Sequence, residues 1–198
     1  QNFTLLIWHS IFFHIAYKGT NYRGWQKQSG VNTVQQVIED RMQSVFKRKV
    51  HCLGCGRTDA EVHASQYFFH ADLKESIQDN FLQVFNKILP ADIVLYNLIP
   101  VTGTPHAQFS ATERTYDYFF HAQPNPFLAD LSSFYEFDHL DLVEMNRAAK
   151  ILLNYKDYRA FCKTPDRHDS TLVNVKDVKL FKNKDKNEFR FQITADKF

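Results

Sequence analysis

The order of apolar and polar residues along the chain predicts two successive sets of strands and helices. Ile11 to Tyr17 reads as a first strand, ended by the turn Lys18-Gly19-Thr20-Asn21. From Thr33 the period lengthens: Val34, Val37, Ile38, Met42 and Val45 fall on one helical stripe, which ends near Phe46. Thr33 with Gln36 three residues on has the form of a capping box, in which each side chain satisfies a backbone N–H of the first turn. The basic run Lys47-Arg48-Lys49 leads to a short strand over Val50 to Leu53. Gly54 to Ala64 is polar and glycine-punctuated, hence a loop, and Tyr67 to His70 reads as strand. Ser76 is placed to cap a second helix carrying Ile77, Phe81, Val84, Phe85 and Ile88, with Pro90 as its stop. A buried strand over Ile93 to Ile99 closes the first set.

The segment Pro100 to Pro105, with Gly103 inside it, is the expected join, giving an N-terminal lobe over 1–104 and a C-terminal lobe over 105–198. Beyond it Tyr116, Tyr118 and Phe120 alternate with Thr115, Asp117 and Phe119 as in a strand that Pro124 and Pro126 close. Leu142, Met145, Ala149 and Leu152 mark a third helix. Leu172 to Phe181 and Phe189 to Thr194 form a hairpin about the lysine-rich turn Lys182 to Asn187. Strands and helices in both halves, without a strict sequence repeat, imply an α+β fold: two α/β lobes sharing a mixed, mainly antiparallel sheet with flanking helices.

Composition narrows the class. The 198 residues, 44% hydrophobic and 23% charged, suit folded domains rather than a disordered tail or a membrane protein. Phe3 to Tyr17 is apolar but is broken by polar residues and falls short of the ~20 residues that span a bilayer. With no basic residues ahead of it, it is also a poor signal peptide. Cys52, Cys55 and Cys162 are an odd count and too few for a secreted framework, which points to a reducing, cytoplasmic setting. The formal net charge of +2 neither demands nor excludes nucleic acid. The 19 Phe, 9 Tyr and 2 Trp are mostly core, yet aromatic rings are also what unpaired bases stack on. The chain opens on Gln rather than Met, the expectation for a piece of a longer protein.

The richest chemistry lies in Gly56-Arg57-Thr58-Asp59-Ala60-Glu61-Val62-His63-Ala64. Two carboxylates, an arginine and a histidine on a glycine-led loop suit an active site. The plain alternative is a solvated turn in which Arg57 and Asp59 form a weak ion pair. In a cleft, the Arg57 cation would instead support a partly desolvated Asp59 carboxylate, a nucleophile or base.

This loop, with Tyr17-Lys18-Gly19-Thr20-Asn21-Tyr22-Arg23-Gly24-Trp25-Gln26-Lys27-Gln28 upstream and Phe109-Ser110-Ala111-Thr112-Glu113-Arg114-Thr115-Tyr116-Asp117-Tyr118 downstream, resembles the tRNA pseudouridine synthase A family. Three motifs in the family's order span nearly the whole chain. The resemblance implies a pseudouridine synthase-like fold and a homodimeric enzyme, free of cofactor and metal. Such an enzyme isomerises uridines in the anticodon stem-loop of tRNA. By motif position, Asp59 is the catalytic nucleophile, Arg57 helps hold the nucleotide out of its stack, and Tyr116 packs on the target base. Glu61 stands where the family usually has glycine. Family members also continue past the position of Phe198 into a segment with a further active-site arginine. The resemblance therefore implies a shortened catalytic lobe, with Phe189 to Thr194 left as an unpaired strand, or a tRNA-binding fragment without turnover.

Other candidates weigh less. Cys52 and Cys55 have C-x-x-C spacing, but no further pair of ligands at regular spacing accompanies them, so no metal site is expected. His63 reads as a hydrogen-bonding loop residue, Trp25 as packing, and Tyr118 and Phe120 as core. Lys18, Arg23, Lys27, Lys47, Arg48, Lys49, Arg57 and the lysines of 176–186 are either solvated charges or part of a phosphate-tracking stripe. A glycosidase pair of Asp59 and Glu61 fits poorly, because residues two apart on one loop seldom face each other at the ~5 to 9.5 Å that chemistry needs.

Overall fold

The computed structural model describes residues 10–73, 75–103, 105–137, 140–167, 169–183 and 186–197. The chain divides into two compact units, Gln1–Ala111 and Thr112–Phe198. In the first unit the elements are β1 (Ser10–Tyr17), α1 (Val34–Phe46), β2 (Leu53–Gly54), β3 (Ala64–Ala71), α2 (Phe81–Ile88) and β4 (Ile93–Val101). Its sheet has the order β2-β3-β1-β4, antiparallel throughout. The alternation in β1 decides which face is inside: Ile11, Phe13, Ile15 and Tyr17 are all buried. They join one core with Val34, Ile38 and Met42 of α1 and Phe81 and Phe85 of α2. Phe13 lies flat on Phe69 of β3, centroids 4.7 Å apart, and both rings are shut off from solvent. Burying each side chain of that size is worth about 2–3 kcal/mol.

Several local expectations shift for identifiable reasons. Thr33 caps α1 by accepting from the Gln36 N–H, but the Gln36 side chain donates forward to the Asp40 carboxylate at 2.7 Å instead of closing the box. The strand expected over Val50 to Leu53 is confined to Leu53 and Gly54, because both backbone groups of Cys52 are bound by α1 side chains. α2 starts at Phe81 behind Asn80 rather than at Ser76. β4 is buried only at Ile93 and Leu95. The Asn86 side chain of α2 holds both the N–H and C=O of Leu95 at 2.8 Å, and Tyr96, Asn97, Ile99 and Pro100 beyond it are exposed.

The second unit contains β5 (Arg114–His121), β6 (Ser133–Phe134), α3 (Leu142–Ile151), β7 (Val175–Lys182) and β8 (Glu188–Ala195). The order is β6-β5-β8-β7, with β5 and β6 the parallel pair. The α+β class holds, but each unit has its own four-stranded sheet where a shared one was expected, since every ladder between described strands joins residues of the same unit. β8 is not an unpaired edge. It is a central strand, with β5 on one side and β7 on the other. Tyr118 is not core either: α3 packs on β7, two strands away, and Tyr118 is 48% exposed with its hydroxyl donating to Ser133 Oγ at 2.9 Å. Phe120, on the same face, is buried against Phe189.

Residues 105–111 stay with the first unit because His70 of β3 anchors them. Its Nδ1 accepts the buried Ala107 N–H at 3.1 Å, and its ring meets that of His106 edge-on at 4.8 Å. Burial and the neighbouring His106 hold the His70 imidazole below its ordinary range, against weaker upward pulls from Asp72 and the Leu53 backbone. A histidine whose folded value is depressed contributes stability above the free value of about 6.5 and loses it as the pH falls below. Lowering the pH from 7.5 to 5.5 is therefore expected to reduce the thermal midpoint of the wild-type chain, and His70→Gln to flatten that dependence, as read by circular dichroism melts.

Candidate active site

The loop between β2 and β3 crosses no ladder, so its backbone groups need other partners. They find them in the upstream motif. Trp25 N–H donates to Thr58 O at 3.3 Å, Glu61 N–H to Tyr22 O at 3.0 Å, and Gly19 N–H to His63 Nδ1 at 2.9 Å. Side chains add two links, Tyr17 Oη with Thr58 Oγ1 at 2.9 Å and Tyr67 Oη donating to Gly56 O at 2.5 Å. Val62 N–H returns to Asp59 O at 3.4 Å and closes the turn that carries Asp59. His63 is thus a hydrogen-bonding residue and Trp25 a packed one, its ring 4.3 Å from that of Tyr67.

The approach is so close that two glycines are obligatory. A Cβ on Gly24, at φ +86°, would lie 2.2 Å from Thr58 O, and one on Gly19 would lie 2.0 Å from Val62 O. Tyr22, whose hydroxyl donates to Asp92 at 2.6 Å, pins the motif's far side to the start of β4. Burial and the Asp92 charge push that phenol above its ordinary range, so it stays protonated as the donor.

Arg57 and Asp59 both project from this braced turn as exposed side chains. Among the described residues no ion pair joins them, and both side chains are solvated. Glu61 adopts the left-handed conformation, φ +68°, at the position where glycine was expected, and its carboxylate lies 3.7 Å from Arg23 in an exposed pair. The result is a carboxylate presented to solvent on a turn fixed from behind, an arrangement suited to attack on a docked substrate.

Comparison with known proteins decides the family. No family model matches the chain. A protein named tRNA pseudouridine synthase A from Porphyromonas gingivalis is 35% identical over 190 residues, covering 94% of this chain and 75% of its own length. The chain belongs to the tRNA pseudouridine synthase A family. Proteins of the same name from Bacteroides thetaiotaomicron, 33% identical over 94% of this chain and 70% of its own length, and from Parabacteroides distasonis, 41% identical over 77% and 61%, agree.

Within this tRNA pseudouridine synthase A family member, Arg57 and Asp59 share one loop of the first unit, whereas Tyr116 stands on β5 of the second, 37% exposed and opposite Ile193 of β8. Cys52 is fully buried, and burial followed by the Glu39 charge raises its thiol far above the ordinary range, so it is an inert core thiol. Among the described residues no group of three His, Cys, Asp or Glu side chains is placed to hold a metal ion, and no helix is long and apolar enough to cross a membrane. Of the basic residues singled out, Lys27 pairs with Glu39, Arg48 with Glu75 and Lys176 with Glu113. Sequence reading missed Gln35, Glu39 and Asp92 as supports of the loop. The i, i+4 pair of polar residues beside an apolar helical stripe was the available signal for the first two.

Two outcomes follow from the loop geometry. Gly24→Ala and Gly30→Ala both place alanine at positive φ, but only at Gly24 does the new methyl meet another atom within 4 Å. Gly24→Ala should cost more than about 2 kcal/mol and Gly30→Ala only about 1, as read by urea unfolding. Glu61→Gly should raise stability by about 0.5–1 kcal/mol, because relief of the left-handed conformation outweighs an exposed ion pair.

Proposed function

We propose that the chain carries out the reaction for which its relatives are named, pseudouridine synthesis in tRNA, and that it acts on uridines of the anticodon stem-loop, in the cytoplasm and as a homodimer. The observation that carries this reading is an Asp59 carboxylate held outward on a loop clasped by the upstream motif. The reaction breaks the N1–C1′ bond and makes a C5–C1′ bond. The C5 proton leaves and N1 regains one, so no atom is gained or lost and no redox partner is required. Asp59 supplies the nucleophile, adding to the nucleotide while the base detaches, rotates and rejoins. Arg57 helps hold the nucleotide out of its stack, and Tyr116 packs on the extruded base. Stacking at ~1–3 kcal/mol offsets part of the few kcal/mol that extrusion costs. Phosphate contacts rather than the carboxylate carry affinity for the RNA.

Because the chain spans 61–75% of the length of these relatives, a second reading is a portion that binds tRNA without turning it over. Incubation with an unmodified tRNA transcript separates the two: pseudouridine forms under the first reading and only a complex under the second. Under the first, Asp59→Asn should abolish product with tRNA affinity within a few-fold of wild type. Tyr116→Leu should lower kcat/KM by about 5- to 150-fold with the thermal midpoint unchanged, the equivalent of one lost stacking contact. Turnover by Asp59→Asn would remove the nucleophile assignment, and unfolding of Tyr116→Leu would make that tyrosine a packing residue.

A further inference from the structure

The sequence motif that ends at Gln28 and the strand that enters the Asp59 loop are joined by one face of α1. Gln35 and Glu39, one turn apart, bond four groups of the same two residues, Lys27 and Cys52. The Gln35 amide accepts the Lys27 N–H at 2.8 Å, and its Nε2 donates to Cys52 O at 2.9 Å and to Glu39 Oε1 at 3.2 Å. Glu39 Oε1 also accepts the Cys52 N–H at 3.1 Å, and Oε2 accepts from Lys27 Nζ at 3.1 Å. The carboxylate side chain is 8% exposed and the lysine side chain 48%. The first N–H groups of the same helix do parallel work. Val34 N–H bonds Gly24 O at 3.2 Å and Gln35 N–H bonds Trp25 O at 3.0 Å, using donors that a helix start leaves free.

We propose that Lys27, Gln35 and Glu39 form a positioning clasp that sets the register of the Asp59 loop, holding the chain that enters it at Cys52 and the wall that faces it at Trp25 to one helical face. This rests on the proposed pseudouridine synthase activity. A partly buried ion pair is weak as a source of stability, since screening trims its attraction and apolar side chains of similar volume serve as well. What it does here is directional. Cys52 has both backbone groups bonded in one register, which an apolar contact could not impose. From Cys52 the path to Asp59 is seven residues, and the opposite wall reaches the loop through the bond from Trp25 N–H to Thr58 O. A shift of either anchor moves the carboxylate relative to its substrate, and displacement of about 1 Å costs on the order of 100-fold in rate.

The test compares Lys27→Met, Glu39→Gln and Lys27→Arg with Asn86→Ala, a change in the same unit that loosens β4 without touching the clasp. Two readouts are taken: steady-state kinetics on a tRNA transcript, and amide hydrogen exchange over residues 53–62. Lys27→Met and Glu39→Gln are expected to lower kcat by about 10- to 100-fold with KM within about 3-fold, and to speed exchange in the loop. Lys27→Arg should restore both, and Asn86→Ala should change neither even where it lowers the thermal midpoint as much. Should Glu39→Gln fail to fold, Lys27→Met, altering a half-exposed side chain, decides alone. Unchanged loop exchange in folded Lys27→Met, or a kcat loss that Asn86→Ala reproduces at equal destabilisation, overturns the proposal. If the wild-type chain makes no pseudouridine, the activity reading fails while the exchange measurement still decides whether the clasp sets the loop.

Discussion

The first unit depends on a contact between two stretches of backbone that belong to no sheet. Gly24 and Trp25 lie directly against Thr58, so close that one side-chain carbon would break the approach. A loop carrying an exposed carboxylate cannot be stabilised by burying its own side chains, and it cannot be left with unsatisfied amides in a half-covered setting. The upstream motif resolves both demands by lending backbone donors and acceptors. Tyr17, Tyr22, Trp25 and Tyr67 around it place their rings in the core, with the Tyr17 and Tyr67 hydroxyls on the loop at Thr58 and Gly56 and the Tyr22 hydroxyl on Asp92.

That contact explains why two polar residues of α1, Gln35 and Glu39, face inward. An amphipathic helix needs its apolar stripe only to cover the sheet, which Val34, Ile38 and Met42 accomplish. Gln35 and Glu39 extend the buried face past the stripe, and their amide and carboxylate take up groups the loop's neighbours would otherwise leave unpaired. Glu39 is therefore buried without being stranded: three donors reach it, one of them a cation. The same logic places Asp92, which accepts from Tyr22 and Asn21 and ties the motif to β4.

Periodicity made the elements legible and local chemistry blurred their ends. β1, α1, the hairpin of β7 and β8, and the helix α3 follow from patterns of two and 3.6, because each turns one face to a core, α3 with the partly buried Ala149. The errors lie where another partner, near or far in the chain, displaced the expected one. Ser76 had the right chemistry for a cap but no helix begins there, and Gln36 had the right spacing for a box but met Asp40 first. Tyr118 alternates with buried Phe120, yet its face is covered only in part, a fact set by where α3 lands rather than by anything in β5. β8 looked like a loose end in a linear reading because its partner β5 is more than sixty residues away in the chain. The loop itself was legible as chemistry, through Arg57, Asp59 and Glu61. Its bracing was not, since backbone bonds to Tyr22 and Trp25 leave no mark on residue type except the two glycines.

Glu61 shows how much the bracing tolerates. A side chain in the left-handed region costs about 1 kcal/mol relative to glycine, and nothing about the carboxylate itself favours that conformation. It persists because its N–H is held by Tyr22 O and the next amide by Asp59 O, so the turn is set by its neighbours before the residue at its apex has a say. The carboxylate lies beside Arg23, a residue of the same upstream motif, and its charge is partly met there. A loop whose shape is imposed from outside can carry a side chain at such a position and keep the Asp59 carboxylate on the same turn. A loop that relied on glycine for its shape could not.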